Sequence, residues 1–262
     1  MKRYFSVYRM LLKMNFSMLA GYRGNFYNSM LASLAWGSFS LYSIVLLTSK
    51  STMIFGWKRE EMLLLNGAYG IIISLFHMQF SKNFERFSEI IHHGQLDSIL
   101  VKPMDSQFLV SFWLFGYASI SRTIIAIGYT IYIVTMMHMS LSFSRIAGFV
   151  VLAVLGLVTL YSLWFMVITF TVWFTRLHNL AELMFTITGA ARYPQEIMRQ
   201  VSQYVFLFLF PLTLIITLPT KALLGRLGWG ELVTIGLLAV GLFAFSRAFW
   251  RFALRSYTSA SS

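Results

Sequence analysis

Five histidines, nine acidic residues and no cysteine are the groups from which this chain could build a catalytic or metal centre. His77, His92, His93, His138 and His178 are scattered, and only the second and third are adjacent. A metal site needs ligands that converge from one shared face, so no metal is expected. The lack of cysteine removes disulfides, thiolate ligands and thiol nucleophiles. No serine, histidine and acid stand together in a strand or turn that would present a nucleophile. A phosphate loop of the form G-x-x-x-x-G-K-[ST] is missing as well, because Gly225, Gly228 and Gly230 have no lysine at the required offset. The chain is therefore read as binding or mechanical machinery with no bound cofactor, and not as an enzyme.

The most informative polar stretch is SKNFERFSEIIHHGQLDSILVKP, residues 81–103. Ser81 is placed to cap a helix and Gly94 to end it in the left-handed conformation. At helical spacing Phe84, Phe87 and Ile91 fall on one face, with Lys82, Glu85, Arg86, Glu89 and His93 on the other. A helix of about three turns with exposed aromatics needs a protein groove or a bilayer surface to cover them. A plain interfacial loop is the alternative.

The elements that must hold this segment are membrane helices. Of 262 residues 58% are hydrophobic and 11% charged, against roughly 45–50% and about 25% in soluble domains. No charge interrupts Arg23 to Lys50, Glu61 to Lys82, Arg122 to Arg145, Arg145 to Arg176, Arg199 to Lys221 or Glu231 to Arg247. About 20 apolar residues cross a bilayer core of about 30 Å. Spans are expected at 25–48, 62–80, 118–138 and 146–173, with a last one at 231–250. Residues 107–117 are read as a segment at the inner interface, bending near Gly116 into the third span. Residues 1–24 read as an amphipathic helix on the membrane surface, with Phe5, Tyr8, Leu12, Phe16 and Leu19 on its apolar face. Lys13 interrupts the stretch a secretory signal would need, so residue 1 is expected to belong to the mature protein.

The region 176–226 admits two readings. Either 204–220 is the fifth span, or 177–192 is, followed by broken half-helices around Pro211 and Pro219 that dip into the outer leaflet. Both place six spans with both ends on one side. The net charge of +12 is carried by cations lying between spans, which argues for membrane orientation and against nucleic acid. With the ends inside, the half-helix reading puts twelve lysines and arginines on inner segments and eight on outer ones, Arg192 and Arg199 among the outer; the alternative gives fourteen and six. Arg122, at the start of the third span, either snorkels to headgroups or pairs across a subunit interface. Glu182 is expected to pair with Arg176 or His178 at the inner boundary.

GWKREEMLLLNG at 56–67, HGQLDSILVKPMDSQF at 93–108, ARYPQEIM at 191–198 and LRSYTSA at 254–260 resemble one bacterial family, the membrane components of type-2 ABC exporters. The matching positions are Gly94, Leu96, Asp97, Lys102 and Pro103 after the second span, Tyr193 and Pro194 after the fifth, and Arg255 and Tyr257 in the tail. The resemblance implies an all-α subunit of six spans in a bacterial plasma membrane, both termini cytoplasmic. It implies pairing with itself or a sister permease above two ATPase subunits, which bind the ATP and magnesium. Residues 81–93 would be a coupling helix docked in the ATPase, with Phe84, Glu85, Arg86, Phe87, Glu89, Ile91, Gly94, Asp97, Lys102 and Pro103 as its coupling residues. Residues 194–220 would be extracellular half-helices marked by Tyr193, Pro194, Pro211 and Pro219, so 177–192 becomes the fifth span. The implied cargo is an amphiphile: a drug, antibiotic, lipid, peptide or glycoconjugate. A self-contained secondary transporter and a membrane-embedded lipid-modifying enzyme are the rival readings.

Overall fold

The computed structural model describes residues 2–21, 23–49, 53–54, 56–174, 180–194, 196 and 203–257. Helix α1 (Lys2–Gly21) is followed by α2 (Arg23–Leu47) and a two-stranded hairpin, β1 (Met53–Ile54) with β2 (Trp57–Lys58). Next comes α3 (Arg59–Phe76), which passes through a π-helical turn at His77–Ser81 into α4 (Lys82–Glu85) and α5 (Phe87–His92). Short helices α6 (Leu96–Leu100) and α7 (Ser106–Phe112) precede α8 (Ser119–Met136) and α9 (Phe143–Thr169). The last helices are α10 (Leu180–Gly189), α11 (Gln203–Leu224) and α12 (Trp229–Ser256).

Among the described residues, five helical stretches are long and apolar enough to cross a membrane: Gly24–Leu47, Arg59–His92, Ser119–Met136, Phe143–Val172 and Trp229–Ser256. Their burial sorts them. In its most apolar stretch the α3 rod is 61% buried, against 22% for α2 and α8 and 17% for α12. A helix buried on all sides is a core helix, so α3 forms the axis of the bundle. The open faces of the others carry Trp36, Phe39, Ile124, Ile131, Leu237 and Val240, an apolar surface far too large for water and suited to lipid tails.

Small residues set the crossings, as packing without a hydrophobic drive between helices requires. Gly70 meets Ala126 where α3 crosses α8, and Gly156 on α9 faces Ile215 on α11. Pro219 has no N–H for the carbonyl of Ile215 four residues back. That freed oxygen lies against Gly156, where a Cβ would stand 3.0 Å from it. Helix α11 therefore runs through both prolines as one helix of 22 residues. The two broken half-helices expected from Pro211 and Pro219 are not what the described part of 194–220 forms.

Gly116 accounts for the bend ahead of α8. Its N–H donates to the Met78 carbonyl at 2.7 Å, and any side chain there would crowd the carbonyls of His77 and Met78. The buried stripe of α1 is shifted by about one residue from the expected face. Leu11 and Asn15 are buried while Phe5 and Phe16 are 71% and 61% exposed, because Tyr4 and Tyr8 pack edge-on against Phe108 and Phe112 of α7.

Candidate functional site

Residues 81–93 do not form a separate helix. Ser81 has helical backbone and caps nothing; its hydroxyl meets His77 Nδ1 at 2.8 Å. The helical run continues from α3 through the π-helical turn, α4 and α5 and stops at Gly94, whose φ of +64° is the left-handed value glycine adopts without strain. Gly94 N–H donates to the Ile91 carbonyl and Gln95 N–H to that of Ile90, a Schellman closure.

Phe84, Phe87 and Ile91 do share one face, but the protein itself covers it: they are 1%, 0% and 4% exposed. Phe84 stacks on Trp164 at 6.1 Å and tilts on Phe165 at 6.0 Å. Phe87 stands edge-on to Trp250 of α12 at 5.8 Å. The expectation of aromatics offered to a partner is thus corrected. The rod runs under α9 and α12, whose indoles fill the face. What the segment presents outward is Lys82, Glu85, Glu89, His92 and His93, with half-buried Arg86 reaching the Gln95 amide at 3.4 Å.

Past Gly94 the chain is braced. Leu96 is fully buried, and Asp97 lies beside Tyr257, whose phenol is pushed up by burial and by that carboxylate. The Lys102 ammonium sits 4.2 Å above the Trp113 ring, Pro103 is exposed, and Val101 projects with 82% of its surface free. Asp105 then caps α7 by accepting the Phe108 N–H at 2.9 Å and receives the Arg247 guanidinium. That guanidinium holds the Asp105 carboxyl below the usual carboxylate range.

The opposite end of the bundle is clamped by charges. Arg226 pairs with buried Glu61 at 2.7 Å. Lys221 bridges Glu231 at 2.8 Å and Glu196 at 3.4 Å, and Trp57 Nε1 donates to Glu196 at 3.1 Å. Tyr193 packs on the cluster of Ile44, Leu63 and Leu64, and Pro194 is buried.

Within the bundle, α2, α3, α8, α9 and the α10 segment enclose a cavity of about 510 Å³. Arg122 lines it, its stem laid against Gly37 on α2, where a Cβ would stand 3.0 Å from Cγ. Its Nε is buried with no hydrogen-bond partner among the described residues. A cation at membrane depth costs about 2.5–3.5 kcal/mol on insertion scales. Arg192 also lines the cavity. Its guanidinium carbon is 5.4 Å from the Tyr69 ring centroid and its Nε donates to the Gly189 carbonyl at 3.1 Å. Tyr69 is ten residues into α3, about 15 Å along the helix, so Arg192 lies well in from the end of the bundle that bears Arg59. Glu182 and His77 complete the polar wall, His77 stacked on Phe185 at 5.1 Å. The expected partners of Glu182, Arg176 and His178, lie outside the described residues, as does Arg199.

The profile of the ABC-2 family transporter protein matches residues 34–261. The chain belongs to that family. No curated protein and no solved structure matches it. As an ABC-2 family transporter protein it is a multi-pass membrane component of a transporter, from a family that works with an ABC ATPase.

The match takes in every element of this ABC-2 protein from the middle of α2 onward, and so the segment 81–103, the clamp and the cavity. Sequence reasoning missed the Asp105–Arg247 lock, although an aspartate just ahead of an apolar helical run is a helix-start signal. It also missed Tyr69 and Trp36 as cavity residues, and nothing in local spacing separates them from other interior aromatics.

Proposed function

We propose that this ABC-2 protein is the permease subunit of an ATP-driven exporter, moving an amphiphile outward while separate ATPase subunits hydrolyse ATP. It assembles as a pair with itself or a sister permease, over two ATPases, in a bacterial plasma membrane with both termini cytoplasmic. The single observation that carries this reading is the continuous helical stretch Arg59–His92, which includes the π-helical turn at His77–Ser81. Its outward tip bears charge, and its most apolar part is the most buried among the five membrane-length helices. A force applied at Glu85, Glu89 and His92 cannot be absorbed by a flexible joint. Through Phe84 and Phe87 it passes to α9 and α12, which hold the membrane-facing packing.

In this reading the coupling surface is the charged face of 81–93 together with Val101 and Pro103, while Phe84, Phe87 and Ile91 form the stiff joint behind it. The sixth span is assigned to the α10 segment, where Leu180–Gly189 covers about 15 Å of a core of about 30 Å and the chain continues through a helical turn at Ala190–Arg192. Glu196 and Lys221 are bridged at one end of the bundle, and Ile215 lies deep against Gly156. Glu196 and the C-terminal end of α11 thus lie together at one end of the bundle while the middle of α11 lies deep, which supports a re-entrant outer segment.

The test is purification of the full chain from its native membrane in mild detergent, followed by identification of co-purifying subunits. A nucleotide-binding subunit is expected with the parent chain and absent from the Glu85→Lys, Glu89→Lys double variant. Its absence from the parent sinks the reading.

A further inference from the structure

We infer that the cavity between α2, α3, α8 and α10 is a binding site for an anionic amphiphile, a molecule with a phosphate or carboxylate head on an apolar body. Two independent features carry this. The first is Arg122, a guanidinium with neither ion pair nor hydrogen bond among the described residues, which lines the hollow. Arg59 is another arginine whose Nε has no partner among the described residues, but it does not line this hollow; Arg192 lies over Tyr69, Arg247 holds Asp105 and Lys221 holds two glutamates. An arginine offers five N–H donors in a planar fork suited to carboxylate and phosphate.

The second feature is the hollow. About 510 Å³ lies within the range of small-molecule sites, roughly 300–1,000 Å³. Trp36, Tyr69, Phe76, Trp164 and Phe185 give it a largely aromatic wall, which accepts an apolar body. Its fixed charges are two arginines and one glutamate, a surplus of one positive charge. Arg192 is already held by the Gly189 carbonyl and the Tyr69 ring, so binding needs little ordering of that side chain. Gly37 matters on the other wall: any Cβ there would press on the Arg122 stem and tilt the guanidinium out of place. That this site loads the exporter's cargo rests on the function proposed above; that it binds anions does not.

The experiment uses the full chain in nanodiscs of phosphatidylcholine, with radiolabelled dodecyl phosphate as probe. Saturable binding is expected, about one per chain, displaced by dodecanoate and not by dodecyltrimethylammonium. Arg122→Gln and Arg192→Gln should each weaken it about ten- to a hundredfold, the worth of one charge-assisted hydrogen bond, while Glu182→Gln binds at least as tightly as the parent. Gly37→Leu, which leaves both charges in place, should weaken it as well. Equal displacement by the quaternary ammonium, a measurement that needs no variant, overturns the proposal. So does undiminished binding by a folded Arg122→Gln protein. Adding phosphatidylglycerol to the disc separates two sources of the same chemistry: competition identifies a bilayer lipid as occupant, and its failure a solute. No ATPase is present in the assay, so a failed exporter reading and a failed anion site give different results.

Discussion

Arg247, eighteen residues into the last helix, grips the Asp105 carboxylate that starts α7, with Nη1 to Oδ1 at 2.7 Å and Nη2 on the second oxygen. The same guanidinium donates to the Gln107 amide at 3.1 Å, and Gln107 donates to Tyr161 at 3.1 Å. One ion pair thus ties α12 and α9 to the loop that follows the rod's tip. Because Arg247 lowers the folded Asp105 pKa, the pair stabilises the fold above the unfolded carboxyl value, about 3.9. That contribution is lost as pH falls through the folded value. The melting temperature of the parent should therefore drop more steeply than that of Asp105→Asn below about pH 4, and the two curves should converge in acid. Asparagine keeps the helix cap, so the difference isolates the charge. Both groups are partly solvated, and the gap at neutral pH should be about 1 kcal/mol or less.

The buried face of 81–93 and its outward face should separate cleanly. Phe84→Ala and Phe87→Ala each remove a ring packed on indoles and should cost about 3–5 kcal/mol, read as a large loss of thermal stability in detergent. Glu85→Lys with Glu89→Lys alters only exposed groups and should change stability by about 0.5 kcal/mol or less. A stability loss in the charge variant matching that of the ring variants would mean the two faces are assigned the wrong way round.

Gly94→Ala should cost about 1–2 kcal/mol, since an L side chain must take up φ of +64°. Gly94→Asn should cost less, because asparagine tolerates that region. Thermal melts of the three proteins check the order. A Gly94→Ala protein as stable as the parent would show that the rod's end is not held in this turn.

What could be seen in the sequence follows from the range of each signal. Span length and the turn at Gly94 are properties of adjacent residues, so charge-free runs point to the five membrane-length helices and one glycine to the turn. Periodicity put Phe84, Phe87 and Ile91 on one face, yet the sign of that face depends on Trp164, Phe165 and Trp250, far along the chain. Likewise Pro211 and Pro219 look like breaks to any local rule. At Pro219 the freed Ile215 carbonyl lies against Gly156 on another helix, a contact no local rule can show. Arg122 was visible as a costly charge; that it faces a hollow depends on Gly37, 85 positions earlier.

Gly156 offers the sharpest check of that helix crossing. A Cβ at this position would lie 3.0 Å from both the Ile215 carbonyl oxygen and its Cγ2, and the oxygen belongs to backbone that cannot swing aside. Gly156→Ala should therefore force α9 and α11 slightly apart and cost about 1–3 kcal/mol, with Gly156→Val worse. Alanine is the better helix former by about 1 kcal/mol, so an uncrowded site would instead be stabilised. The sign of the change decides the matter: a higher melting temperature for Gly156→Ala would mean that the two helices do not approach closely.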